Sequence, residues 1–236
     1  MVLNNEFSKN SIQHYARVTG FLYLIIILCG MFTEMFVRVP LIVAEDVSAT
    51  VANIVSNEML FRVGFITDLV MVMADVAIAL TFYILLKPVN NALALMAALF
   101  RLAQSSILGI NLLNHFKVIV LISDDSFKRS LGEDAFNAQV MLNLQAQSYG
   151  YLIALVFFAI SCVILGYLFY QSKLVPRSLA ILLFIAAAAY LIDSFTNFLL
   201  PAYAAITEIW VIISALTAEV GLCLYLLIYG VRAEKV

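Results

Sequence analysis

Leu60-Phe61-Arg62-Val63-Gly64-Phe65-Ile66-Thr67-Asp68-Leu69-Val70-Met71-Val72-Met73-Ala74-Asp75-Val76-Ala77-Ile78-Ala79-Leu80 opens an apolar run that continues to Lys87. The run exceeds the about 20 residues needed to cross a hydrocarbon core, so it predicts a transmembrane helix. Two aspartates lie inside it, seven residues apart, which is two turns along one helical face. A charge in hydrocarbon costs about 2.5–3.5 kcal/mol on insertion scales, so such residues face a bundle interior and mark a site.

Working outward from 60–87, five further segments read the same way: about 16–38, 91–121, 144–171, 177–200 and 206–231. The composition agrees. The chain is 64% hydrophobic and 12% charged, with a mean hydropathy of +1.04, whereas globular domains are about 45–50% apolar and about 25% charged. The expectation is an all-α integral membrane bundle of six transmembrane helices, with residues 1–236 forming a single transmembrane domain. The first segment is too long for the apolar region of a signal peptide, and Glu34-Met35-Phe36-Val37-Arg38 is a poor cleavage context.

Cations set the orientation. Lys9, Arg17, Lys87, Lys173, Arg177, Arg232 and Lys235 fall on one side, and Arg38, Lys117, Lys128 and Arg129 on the other. Seven against four favours both termini in the cytoplasm, and an even number of spans agrees. Lys87-Pro88-Val89-Asn90-Asn91 and Val175-Pro176-Arg177-Ser178 are tight cytoplasmic connections, and Leu200-Pro201-Ala202 ends the fifth helix. The longer loops, 39–59 and 123–143, face outward. Each has apolar residues spaced for a short amphipathic helix, at Ala49–Val55 and at Phe127, Leu131, Phe136 and Val140. The expected location is the cytoplasmic (inner) membrane of a bacterium, with a multi-pass topology.

Inside the spans lie Glu34, Asp68, Asp75, Arg101, Asp193 and Glu219, with His115 near one end. Counting 1.5 Å per residue from the outer ends puts Asp75, Arg101 and Glu219 near the bilayer centre. Asp68, Asn111 and Asp193 then form a layer about 10 Å further out, and Glu34 and His115 lie near the rim. Arg101, Gln104, Asn111 and His115 follow one stripe of the third helix, and Asp193 and Asn197 share a face of the fifth. Asp75–Arg101 is the expected ion pair. The remaining acids are expected to be protonated, hydrogen-bonded, water-facing or bound to a cation. Together these ten residues predict a polar cleft that opens outward.

Other chemistries lack their signatures. No basic or aromatic-basic patch would bind nucleic acid. Cys29, Cys162 and Cys223 form no C-x-x-C pair and read as packing residues. His14 and His115 are too few for a three-histidine zinc site, though a carboxylate-rich metal site stays open. The lysines within the spans, Lys87 and Lys117, lie at or close to span ends and not at mid-membrane depth for a Schiff base, and no G-x-S-x-G elbow or glycine-rich phosphate loop occurs. The sequence leaves any cofactor unassigned.

Several stretches carry a family resemblance: Ala16-Arg17-Val18-Thr19-Gly20-Phe21-Leu22-Tyr23-Leu24, Leu60-Phe61-Arg62-Val63-Gly64, Pro88-Val89-Asn90, Phe100-Arg101-Leu102-Ala103-Gln104, Asn111-Leu112-Leu113, Gly150-Tyr151-Leu152-Ile153, Leu165-Gly166-Tyr167-Leu168 and Tyr190-Leu191-Ile192-Asp193-Ser194-Phe195. They resemble a widespread bacterial family of small membrane proteins classed as a domain of unknown function. The resemblance implies a multi-helix membrane domain and supplies no activity.

The leading functional expectation is binding of a small polar or cationic ligand in the cleft, with transport as its extension. An intramembrane enzyme acting on a lipid-like substrate is the alternative, using His115 and the outer carboxylates for acid–base work. A structural or sensory partner of another membrane protein is the third. Transport needs an inward pathway, and the cytoplasmic halves of the helices are almost wholly apolar. The bilayer is the expected environment, and six helices of this length leave a homodimer open.

Overall fold

The computed structural model describes residues 9–43 and 45–232. Lys235, one of the cations in the orientation count, lies outside them. Among the described residues there is no strand. Six helices are long and apolar enough to cross a membrane: α1 (Ser11–Leu41), α3 (Glu58–Leu86), α4 (Asn91–Ile122), α6 (Glu133–Ser172), α7 (Arg177–Leu199) and α8 (Pro201–Ile228). Two short helices connect them, α2 (Val47–Ser56) and α5 (Asp125–Leu131). Asp46 caps α2 by accepting from the Ala49 N–H, and Asp124 caps α5 by accepting from the Ser126 N–H, both at 2.8 Å.

Two departures from the sequence reading matter for the site. The first helix does not stop at Arg38 but continues through Pro40 to Leu41. A proline lacks an N–H and crowds the carbonyl four residues back. The helix absorbs this in a π-helical turn, Thr33–Arg38, where the Val39 N–H donates to the Glu34 carbonyl five residues earlier. The fourth long helix begins at Glu133, not near 144. Phe136, Val140 and Leu144 recur at four-residue spacing and are all buried, and Glu133 and Asp134 suit a helix N-terminus.

The chain forms two compact units. One contains the described residues up to Ile25, then Ala74–Gln104, and the chain from Leu155 onward. Small residues let its helices approach closely. A Cβ on Gly20 would come within 2.7 Å of the Leu227 backbone nitrogen, so only glycine fits there. The Cys223 thiol donates to the Gly20 carbonyl at 3.4 Å, which ties α8 to α1, and the Ser161 hydroxyl donates to the Ala97 carbonyl at 2.9 Å, which ties α6 to α4. The last described residues are anchored too: the Arg232 N–H donates to the Leu174 carbonyl at 2.9 Å, and Gln13 bonds the Val231 backbone on both sides.

The other unit contains Ile26–Met73 and Ser105–Ala154. Its core joins Val37 and Leu41 of α1, Val51 and Ile54 of α2, Phe61 of α3, Val118 and Ile119 of α4, and Phe136, Val140 and Leu144 of α6. Of the amphipathic pieces expected in the outer loops, α2 and the Phe136–Val140 stretch are packed parts of this core, whereas Phe127 and Leu131 of α5 are exposed. Burying a large aliphatic or aromatic side chain contributes about 1.5–3 kcal/mol, so these contacts hold α2 and the first turns of α6 in place.

Candidate functional site

In the first unit, Asp75 of α3 and Arg101 of α4 make the expected pair. Arg101 Nε and Nη2 both donate to Asp75 Oδ1, at 2.8 and 2.5 Å, and both side chains are fully buried. Three rings surround the guanidinium: Phe158 at 5.0 Å, Tyr23 at 5.5 Å and Phe82 at 5.8 Å from its carbon. Cation–π contacts contribute about 0.5–2 kcal/mol and offset part of the cost of removing the ions from water. The aromatic collar was not legible in the sequence, because its members come from three different helices.

Glu219 lies in a second π-helical turn, Leu216–Val220. It accepts a hydrogen bond from the hydroxyl of buried Tyr190. Asp193 is buried on α7 and accepts from the Thr207 hydroxyl of α8 at 2.6 Å and from Asn197 Nδ2 at 3.2 Å. It therefore staples the α7–α8 hairpin across Pro201. Gln104 is buried, and its Oε1 has no hydrogen-bond partner among the described residues. Elsewhere on α7, Leu191, Ile192, Phe195, Thr196, Leu199 and Leu200 line a shallow groove of about 330 Å³. Its walls are apolar, as expected of a surface that meets acyl chains.

In the second unit, Asp68 is tied to Arg38, the residue that ends the first span in the sequence reading and counts there among the outer cations. Arg38 Nη2 donates to Asp68 Oδ2 at 2.6 Å, and Nη1 donates to Glu34 Oε2 at 3.2 Å. The three side chains form a gradient of exposure: 56% for Glu34, 27% for Arg38 and 3% for Asp68. The π turn sets Glu34 and Arg38 in register to share that network. Asp68 Oδ1 is buried and has no hydrogen-bond partner among the described residues. The Thr33 hydroxyl lies beside the carboxylate but donates to the Cys29 carbonyl at 3.1 Å.

His115 and Asn111 join a second network in this unit. The His115 ring, 2% exposed, packs against Phe61 at 4.1 Å with the two planes tilted by 36°, and meets Phe65 edge-on at 5.7 Å. Its Nε2 lies 3.0 Å from the Phe61 carbonyl, which can only accept, so Nε2 carries the hydrogen. Nδ1 then accepts from Gln147 Nε2 at 3.3 Å. Asn111 Nδ2 donates to the Gln147 carbonyl at 2.7 Å, and its Oδ1 accepts from Asn114 at 3.1 Å. A Cβ on Gly150 would come within 2.1 Å of Asn111 Oδ1, so the bare backbone there makes room for the amide.

Of the ten residues selected from sequence, the structure thus pairs Asp75 with Arg101 and Asp193 with Asn197. Arg38 bridges Glu34 to Asp68, and Gln147 bridges Asn111 to His115. Among the described residues, no group of three or more His, Cys, Asp or Glu is placed to hold a metal ion.

Six long apolar helices, with Asp68, Asp75, Arg101 and Asp193 buried among them, define a multi-pass helical membrane protein. The chain belongs to the family described as "Domain of unknown function (DUF4386)", whose model matches residues 18–230. It is 30% identical over 127 residues to an "Uncharacterized protein" of Archaeoglobus fulgidus, a match that takes in 54% of this chain and 62% of that protein. No solved structure matches.

Proposed function

We propose that this protein binds a small organic ammonium compound at Glu34, Arg38 and Asp68. The observation that carries the reading is Asp68 Oδ1, a buried carboxylate oxygen with no hydrogen-bond partner among the described residues. Oδ2 is held by Arg38, so the charge is anchored while the second oxygen stays available to a donor. Two carboxylates against one guanidinium leave the cluster with a net negative charge, which favours a cation. Two carboxylates are too few for a calcium-like cage of six to eight oxygens, whereas an ammonium group needs only acceptors in reach. Entry runs past Arg38, whose long flexible side chain is the partly exposed member.

The cation asymmetry supports cytoplasmic termini and an outward-facing entrance, in a bacterial cytoplasmic membrane. Acid–base chemistry on a lipid has less support, since both His115 nitrogens are engaged by a carbonyl and an amide.

The test is the melting temperature of the purified protein in detergent with methylammonium, ethanolamine and choline, each matched in ionic strength by sodium chloride. One of these should raise the melting temperature of the wild type and leave Asp68→Asn unmoved. Equal melting temperatures with all three amines and with sodium chloride would contradict the proposal.

A further inference from the structure

We infer that Glu219 and Tyr190 form a proton-binding site inside the span of α8, with the Glu219 carboxyl holding one dissociable proton at neutral pH. This stands apart from the Glu34–Arg38–Asp68 reading and uses different residues. The first support is the accounting of charge. Glu219 lies within electrostatic reach of Arg101 and Asp75. Arg101 already directs both Nε and Nη2 to Asp75, which neutralises it. None of the ion pairs among the described residues includes Glu219. A second carboxylate beside that pair, within an apolar helix, has no cation of its own within ion-pair distance. A proton removes that charge without any rearrangement.

The second support is geometry. The Tyr190 hydroxyl donates to Glu219 Oε1, so the other oxygen is the one that carries the proton. Phe158 packs against the Tyr190 ring at 5.3 Å in a T-shaped contact and fixes the phenol in place. The carboxyl sits in the π-helical turn Leu216–Val220, a widened turn of the kind that recurs at functional positions in helices. The titratable and charged groups around it are Tyr190 of α7, Arg101 of α4, Asp75 of α3, Tyr23 of α1 and Cys162 of α6. Protonation converts the carboxylate to a carboxylic acid and consumes one proton, and no other co-reactant is needed.

Infrared difference spectroscopy during a pH titration tests this on the intact chain. The expected result is a protonated-carboxyl C=O band at neutral pH that shifts with ¹³C-glutamate labelling and not with ¹³C-aspartate. Glu219→Gln should abolish it, and Tyr190→Phe should shift its frequency. Should Glu219→Gln fail to fold, dicyclohexylcarbodiimide on the wild type gives a second readout, because it attacks protonated carboxyls within membranes. Mass spectrometry should then map the adduct to Glu219. A glutamate that is wholly carboxylate at neutral pH, or a band that follows the aspartate label, would overturn the inference, as would an unlabelled Glu219.

Discussion

Arg38 of α1 and Asp68 of α3 meet at 2.6 Å, at the point where α1 runs on through Pro40. Had the helix ended at Arg38, that cation would count as an outer-loop charge and Asp68 as an unpaired acid. The π turn Thr33–Arg38 brings the guanidinium inside and hands it two carboxylates at once. The same device recurs at Leu216–Val220, where Glu219 reaches Tyr190. Each π turn in the described residues therefore carries an intramembrane acid.

Asp75 and Arg101 form a fully buried pair, and breaking it should be costly. Asp75→Ala or Arg101→Ala leaves a lone buried charge and should destabilise by about 3–5 kcal/mol. Replacing both with apolar residues of similar volume should recover much of that loss. Equilibrium unfolding in mixed micelles reads both effects. A double variant no more stable than the singles would show that the pair does not act as a unit.

Much of this was legible beforehand. The six spans follow from run length alone, and Asp75–Arg101 follows from equal depth on antiparallel neighbours. The Glu34–Arg38–Asp68 network was half legible. Both acids stood out, but Arg38 counted among the outer cations and not as their partner. His115 was legible as a residue on a polar stripe, but not as one whose nitrogens are taken by the Phe61 carbonyl and Gln147. A backbone carbonyl leaves no mark in a sequence. The first turns of α6 were missed because their acidic start resembles a loop, although Phe136 and Val140 already carried a helical period.

Gly150 and Asn111 should behave as a coupled pair. Gly150→Ala overpacks the site and should cost about 1–3 kcal/mol. In an Asn111→Ala background the added methyl meets no amide, so the same change should cost much less. A double-mutant cycle on unfolding free energies checks this, and strict additivity would count against the contact.

Topology has a direct readout. A periplasm-active reporter fused after the last residue should be silent, and the same reporter inserted within 124–134 should be active. The reverse pattern would invert the entrance assigned to Glu34.

Asp124 gives α5 a pH-dependent cap. The Ser126 N–H holds its carboxyl below the ordinary value of 3.8. A depressed folded-state value means the cap's contribution is fully present above about 3.8 and fades as pH falls through the lower folded value. Amide protection over Asp125–Leu131, corrected for intrinsic exchange, should be level between pH 7 and 5 and drop as the pH falls below about 3.8. Asp124→Ala should remove that pH step.

The central claim is that Asp68 receives an ammonium ligand. Its most direct test is calorimetric titration of the amine that most raises the melting temperature into the wild type, Asp68→Asn and Asp193→Asn. The account predicts one site in the wild type, affinity at least about tenfold weaker in Asp68→Asn, equivalent to about 1.4 kcal/mol, and no change in Asp193→Asn. Undiminished binding by Asp68→Asn would contradict it.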